Sequence, residues 1–192
     1  DSFKEGTVRI TVPGRYILKE DIIFNPNEEN DFQPKPLQMI SGKYPMENGS
    51  GFHLGFFAAI TVETDNVIID LNGHTIKQSK LHNLQQRFFS HIELANSPFI
   101  PKQGPAKFST QDNFKPSNFV QIKNGSFGLS SHHSIHGNGM TNILINDCEF
   151  NDFEVAAIAL NGATKSTLKN LKINGTSQNI PVVSAYSQSR FI

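Results

Sequence analysis

The stretch "ILINDCEFNDFEVAAIALNG", residues 143–162, contains two hexads that return elsewhere in the chain. The first, "INDCEF" from Ile145, matches "IKNGSF" from Ile122 and "LKNLKI" from Leu168, and a looser copy, "LNGHTI", starts at Leu71. The copies at 122, 145 and 168 are spaced 23 residues apart, and each begins with an aliphatic residue and ends with an aliphatic or aromatic one. A short unit that recurs every 20 to 25 residues or so is typical of a repeat architecture.

The second hexad travels with the first. "VAAIAL" from Val155 matches "FAAITV" from Phe57 and "HHSIHG" from His132. In this alignment three isoleucines coincide: Ile60, Ile135 and Ile158. Because strand side chains alternate between the two faces, we expect these isoleucines to fill the interior.

The repeats predict an all-β fold, a parallel β-helix, which is a solenoid with about 23 residues per coil. Helical repeats would need long segments with a 3.6-residue period, and none is present. We expect residues 1–192 to form a single domain in which residues 1–24 make an N-terminal cap and the first coil. Residues 25–56 and 80–117 are expected to be two long loop excursions, the second with a short helix and a strand through "HIELA".

Composition excludes several classes of protein. Seventeen basic and seventeen acidic residues cancel, and no basic stripe suggests a nucleic-acid partner. No apolar stretch reaches the roughly 18 residues of a membrane helix. The polar start "DSFKEG" shows no signal peptide, which fits a mature or excised piece as well as a cytosolic protein. The lone Cys148 cannot form an internal disulfide, and we expect it to be a core residue.

Asparagine is abundant and often precedes glycine, which indicates many turns between short strands. Asn124, Asp147 and Asn170 share one place in the first hexad, and Asn138 and Asn161 share another. We expect these side chains to stack at corners, where they tolerate a left-handed bend and hydrogen-bond along the column.

Three of the seven histidines lie in "SSHHSIHG", residues 130–137. If Ile135 points inward, alternation places Ser134 and His136 on the outer face with His132, and His133 on the inner side. The next repeat brings Asp152 and Glu154, with Glu154 next to His132. A carboxylate beside an imidazole can do acid/base chemistry near neutral pH, and it can also be an ordinary surface ion pair.

The candidate catalytic residues are therefore His132, His136, Asp152 and Glu154, with His133 added. Ser134 and the aromatic residues Phe56 and Phe88 are candidate substrate-binding residues along the flank. No metal or other cofactor is predicted, because His132 and His136, each about 7 Å from Ser134 on a flat strand, are too far from each other to share an ion easily. The remaining histidines are expected to be solvated: His53, His74, His82 and His91.

The repeats, the stacked asparagines and "GRYILKEDI" (residues 14–22) resemble the right-handed parallel β-helix proteins of the pectate-lyase-like superfamily. Residues 56–76 and 130–162 are similar to segments of β-helix proteins of large algal viruses and their hosts, including virion-associated domains that degrade the cell wall of the host. The resemblance implies a right-handed coil, a polysaccharide substrate, and an extracellular or virion-associated location. The chain ends in "AYSQSRFI" without an obvious polar cap, so we expect other virion proteins or chain segments to cover this end, or the chain to be a fragment.

The catalytic sets of that superfamily do not transfer. The aspartate cluster and arginine of pectate lyases are missing, and His136-Gly137 matches only one element of the galacturonan hydrolases. We therefore expect a polysaccharide-degrading domain that acts on a cell-wall glycan, either as a hydrolase with Glu154 as acid and Asp152 as base, or as a lyase with His132 or His136 as base. The alternative is a non-catalytic glycan-binding or structural virion protein.

Overall fold

The computed structural model describes residues 2–44, 56–103 and 114–175, apart from the side chains of residues 56 and 57. In these ranges the chain is mostly β. The strands are β1 (Val8–Ile10), β2 (Gly14–Ile17), β3 (Ile22–Phe24), β4 (Phe56–Val62), β5 (Val67–Asp70), β6 (Thr75–Gln78), β7 (Phe88–Glu93), β8 (Val120–Phe127), β9 (His133–Asn138), β10 (Ile143–Phe153), β11 (Ala156–Asn161) and β12 (Thr167–Gly175). The α-helices are α1 (Pro36–Ile40) and α2 (Lys80–Gln85).

The strands form two parallel sheets. A five-stranded sheet has the order β1-β4-β7-β9-β11, and a seven-stranded sheet has the order β12-β10-β8-β5-β2, with β3 and β6 paired to each other and β6 also to β8. One of the sheets curls into a half-barrel. No helix in the described ranges is long and apolar enough to cross a membrane.

The predicted right-handed parallel β-helix with 23-residue coils is wrong. The twelve strands make two parallel sheets and not a clear solenoid. The spacing of 23 residues joins only the strands near the C-terminal end of the described chain, whereas Ile60 pairs with Ile92, Ile92 with Ile135, and Ile69 with Ile122. The prediction applied the 23-residue period of residues 122–168 to the whole chain. In the earlier part of the chain, long insertions separate the paired strands.

The pairing that the hexads predict is nevertheless present. Ile145 pairs with Ile122 on one side and with Leu168 on the other. Ile135 pairs with Ile158, as the alignment of the second hexad requires. The repeated hexads therefore mark neighbouring parallel strands.

The core lies between the two sheets. Ile60, Ile92 and Ile135 come from the five-stranded sheet, and Ile122 and Ile145 from the other, and all five belong to one buried cluster. Burial of a side chain of this size contributes about 1.5–3 kcal/mol. Cys148 is buried in the same cluster, as expected.

The stacked asparagines are confirmed. Asn124, Asp147 and Asn170 all have positive φ, at 60°, 56° and 52°, and the Asn170 amide donates to Asp147 Oδ1 at 2.8 Å. The amide of Asn161 donates to Asn138 Oδ1 at 3.0 Å. Short polar side chains are the non-glycine residues that enter this left-handed region at least cost, so Asn124, Asp147 and Asn170 fit the bends inside β8, β10 and β12.

The second excursion contains the predicted helix and strand, in the form of α2 and β7. Strand β7 is an integral part of the five-stranded sheet, where it lies between β4 and β9. Phe88 begins this strand and does not belong to the helix. The division into one domain with a cap and two loops stays a prediction, and residues 45–55 and 104–113 lie outside the described ranges.

Candidate functional site

A cavity of about 230 Å³ lies on the outer face of the five-stranded sheet. Its floor is formed by β4, β7, β9 and the end of β11, and one wall is the segment that follows β7. We call it the histidine pocket, and its described lining residues are Ala58, Thr61, Phe88, Phe89, Ser90, Glu93, Asn96, Ser97, Pro98, Phe99, Ile100, Gln103, His132, His133, His136, Asn138 and Asn161.

The strands of the floor do not alternate strictly. On β9, His133 and His136 both line the pocket, whereas Ser134 and Ile135 between them are fully buried. The same pattern holds on β7, where Ser90 and Glu93 line the pocket and the two residues between them are buried. Two consecutive side chains on each strand therefore face the core, and the expectation that His133 points inward is wrong.

His136 is paired with Glu93 on the neighbouring strand. The imidazole Nδ1 lies 2.9 Å from Glu93 Oε1 and 2.8 Å from Oε2, because the strand register places the two residues side by side. Ser90 also donates to the Glu93 carboxylate, at 3.2 Å. Burial by itself would lower the pKa of His136, but the charge and hydrogen bond of Glu93 outweigh it and raise that pKa.

His132 and His133 form a second unit. Their Nδ1 atoms are 2.9 Å apart. One Nδ1–H therefore donates a hydrogen bond to the other Nδ1, which carries no hydrogen. Burial lowers the pKa of His132 to about 4, helped by the positive charges of His136 and Arg87. Burial likewise lowers the pKa of His133 to about 3, helped by His132 and His136. Both rings are therefore neutral at pH 7.

The two units meet face to face. The rings of His133 and His136 are stacked, with centroids 4.9 Å apart and planes at 6°. The raised pKa of His136 favours its protonated form, whereas the lowered pKa of His133 keeps that ring neutral. Neighbouring groups whose pKa values are pushed in opposite directions are a feature of acid/base sites.

Asp152 and Glu154 do not join the histidines. Neither lines the described pocket, and both carboxylate oxygens of Glu154 are bound by the guanidinium of Arg87, with one contact at 3.0 Å. The backbone of Glu154 does lie next to the chain before β9, as predicted, since its N–H donates to Ser130. The expected pairing of its carboxylate with His132 is wrong, because the arginine takes it.

The three predicted substrate-binding residues differ in their position relative to the pocket. Phe88 lines the pocket and contacts the His132 ring, with centroids 5.5 Å apart. Ser134 is fully buried on the core side, so the prediction that it faces the substrate is wrong. Phe56 pairs with Phe88 through its backbone, but its side chain lies outside the described residues.

Two functional residues were missed from the sequence. Glu93 directly follows Ile92, just as His136 follows Ile135, so the alignment of isoleucines contained the signal. It was overlooked because Ile92 and Ile135 are separated by an insertion and not by the period of 23. Arg87 was not among the predicted site residues, yet its positive charge helps to lower the pKa of His132.

His82 and His91 were expected to be solvated, and both are completely buried. The ring of His82 contacts Phe24, Phe32 and Phe89, at centroid distances of 5.2, 5.2 and 5.5 Å. Burial lowers the pKa of each histidine to about 3. They are neutral core residues and lie outside the pocket.

Metal ligation has no arrangement to support it in the described part of the chain. No group of three or more histidine, cysteine, aspartate or glutamate side chains there is placed to hold an ion. The imidazoles and the Glu93 carboxylate of the histidine pocket are groups that can transfer protons and form hydrogen bonds.

Comparison with models of known protein families, with curated proteins and with solved structures found no significant match.

Proposed function

We propose that the protein cleaves an acidic, uronate-containing cell-wall polysaccharide by β-elimination in the histidine pocket. The observation that carries this proposal is the stacked pair His133 and His136, one ring hydrogen-bonded to Glu93 and the other to His132, on the floor of a cavity. Such a substrate is found outside cells, so an extracellular or virion-associated location belongs to the proposal.

Each step of the elimination has a group to perform it. A neutral His133 takes the proton from the carbon next to the uronate carboxylate, and the electrons of that bond form a carbon–carbon double bond. The bond to the glycosidic oxygen breaks, and the departing oxygen takes a proton from His136. Neither water nor an oxidant is consumed, and the two histidines exchange their protonation states and must re-equilibrate before the next turnover.

The substrate itself would make His133 a stronger base. A bound uronate carboxylate brings a negative charge close to the imidazoles, and a nearby opposite charge favours the protonated ring. The pKa of His133 would therefore rise from its low value towards the working pH when substrate is bound. The amide side chain of Gln103, on the pocket wall, is a candidate donor of a hydrogen bond to the carboxylate.

Hydrolysis is less well supported by the same geometry. Glycoside hydrolysis generally needs two carboxyl groups on either side of the scissile bond. Glu93 is the only carboxylate among the described lining residues, and Glu154 is held by Arg87 outside them. Elimination by the histidines therefore fits the pocket better than hydrolysis by Asp152 and Glu154 does.

The test is to incubate the protein with polymers of galacturonate, glucuronate and mannuronate and to follow the ultraviolet absorbance of the unsaturated product. We expect product from at least one polymer, and losses of about a hundredfold or more in H133Q and H136Q. H74Q is the matched control, because His74 contacts Asp21 outside the pocket and its loss should leave the rate unchanged.

Two results would contradict the proposal. If no uronate polymer yields unsaturated product, the elimination is wrong, and binding of the same polymers without cleavage would favour the non-catalytic glycan-binding alternative. If H133Q and H136Q release product as fast as the unmodified protein, the site is wrong. Circular dichroism of the variants shows that a loss of rate is not a loss of fold.

A further inference from the structure

We propose that Asn161 is a positioning residue of the histidine pocket, because its side-chain amide donates a hydrogen bond to Nε2 of His136 and makes Nε2 the ring atom that exchanges the proton. From the sequence, Asn161 was expected only to stack on Asn138. The catalytic consequence of this contact rests on the proposed function, in which His136 gives a proton to the departing oxygen.

The strand register brings Asn161 to His136. Asn161 ends β11 and pairs with Asn138, which ends β9 two residues after His136. The Nδ2 atom of Asn161 lies 3.0 Å from Oδ1 of Asn138 and 3.4 Å from Nε2 of His136. A side-chain amide nitrogen carries two hydrogens, so it can donate one to each of these atoms.

The direction of these hydrogen bonds is fixed by the carbonyl group of Pro98. This oxygen can only accept, so the atom of Asn138 that lies 3.1 Å from it must be the amide nitrogen. The other terminal atom of the Asn138 side chain is then its oxygen. That oxygen also only accepts, so the atom of Asn161 in contact with it must be a nitrogen. Asn161 therefore presents a hydrogen, and not a lone pair, to His136.

The two ring nitrogens of His136 consequently face opposite kinds of group. Nδ1 lies 2.9 and 2.8 Å from the two carboxylate oxygens of Glu93, which accept hydrogen bonds, so Nδ1 carries hydrogen whether the ring is neutral or charged. Nε2 faces the N–H of Asn161. In the neutral ring Nε2 accepts from Asn161. In the charged ring this hydrogen bond is lost, because both atoms then carry hydrogen.

The opposing contacts suit a ring that must hold a proton and then release it. Burial lowers the pKa of His136, and the Glu93 carboxylate on β7 outweighs burial and raises it. The adjacent rings of His132 and His133 are neutral at pH 7. From β11, Asn161 adds a donor that stabilises the neutral form of His136. As the departing oxygen takes the proton, Nε2 regains its hydrogen bond from Asn161, which favours the transfer.

The test is an NMR titration of the His136 ring in N161A and N161D. In N161A the neutral ring loses its hydrogen bond and water can accept from the charged ring, so the midpoint should rise. The contact is long, and we expect a shift of about half a pH unit. N161D should raise the midpoint further, because a carboxylate accepts from Nε2–H and adds a negative charge. A midpoint that N161A leaves unchanged or lowers would overturn the inference.

N174A is the matched control. The Asn174 amide donates to Oδ1 of Asn151 at 2.8 Å, which is the same kind of contact between paired strands, but it lies on the other sheet. This variant should leave the midpoint of His136 where it is in the unmodified protein. If N174A and N161A move the midpoint equally, the shift does not come from a contact with Nε2 and the inference is wrong. Circular dichroism shows whether the variants are folded.

The pH dependence of kcat/KM for release of unsaturated product gives a second readout. Its alkaline limb reports loss of the protonated acid in the free enzyme. In N161A this limb should move to higher pH by the same amount as the NMR midpoint, and the maximal rate should fall about two- to fivefold. A lower rate with an unmoved limb would show a merely structural role and overturn the inference. A shifted NMR midpoint in a protein that yields no product would contradict the proposed function and leave the hydrogen bond to Nε2 standing.

Discussion

At the scale of single residues, neighbouring positions on β9 face different surroundings: one side chain lines the pocket and the next is buried. Ser134 and His133 are neighbours, and simple alternation predicts the serine outside and the histidine inside. The structure has the opposite arrangement, because two consecutive residues of β9 face the core. The residue types indicated proton-transfer chemistry, but hydrophobic pattern alone does not show where a strand departs from alternation.

Ser134 provides a test at this scale. Its hydroxyl is fully buried and makes no hydrogen bond within the part of the chain that the structure describes. An unsatisfied buried hydroxyl is a cost, so S134A should be neutral or should raise the free energy of unfolding by about 1 kcal/mol. Product release should not change, because the side chain does not reach the pocket.

Ser130 is the matched control for that variant. It is equally buried, but its hydroxyl donates to the carbonyl of His133 at 2.7 Å and accepts from the backbone of His132 at 3.3 Å. S130A should therefore lower the free energy of unfolding by about 1–3 kcal/mol in urea titrations. If S134A is the more damaging variant of the two, or if it abolishes product release, the orientation of β9 described above is incorrect.

At the scale of elements, the sequence predicted strand pairing well and architecture poorly. The hexads at Ile122, Ile145 and Leu168 pair in the register that their spacing requires. Such pairing follows from local pattern, since each segment repeats its aliphatic and polar positions. The path of the chain between strands does not repeat, and the two parallel sheets follow from connections that the period cannot predict.

The same difference between local pattern and chain path explains why the sequence did not predict Glu93 as the partner of His136. The Glu93 strand was recognised as a strand, but an insertion hides its place in the sheet, between β4 and β9. Glu154 was chosen because it follows at the regular spacing. Its backbone is where the period predicts it, and only the three-dimensional position of Arg87 decides where its carboxylate goes.

At the scale of the whole molecule, buried neutral histidines make stability depend on pH. His82 and His91 have pKa values lowered by burial to about 3, against 6.5 in the unfolded chain. Below pH 6.5 these histidines bind protons in the unfolded state but not in the folded state, so the free energy of unfolding falls as the pH falls. At pH 5, which is 1.5 units below 6.5, each of the two should cost about 2 kcal/mol.

Urea unfolding at pH 7, 6 and 5 measures this effect. The range from pH 7 to pH 5 is selective for the histidines. Paired carboxylates with lowered pKa values, such as Asp70 and Glu149, lose their contribution to stability only as the pH falls below their ordinary pKa values of 3.8 and 4.5. His132 and His133 act in the same direction as the two core histidines. His136 opposes them, since a raised pKa adds stability below pH 6.5. A free energy of unfolding that stays constant from pH 7 to pH 5 would contradict the burial of these rings.

The most direct test of the acid/base site is an NMR titration of the histidine ring protons, in the unmodified protein and in E93Q. We predict that His136 titrates above pH 6.5 while His132 and His133 remain neutral down to about pH 5. In E93Q the negative charge is gone and burial remains, so the midpoint of His136 should fall below 6.5. Three rings that titrate together near pH 6.5, or a midpoint of His136 that E93Q leaves unchanged, would contradict a pocket that holds charged and neutral imidazoles side by side.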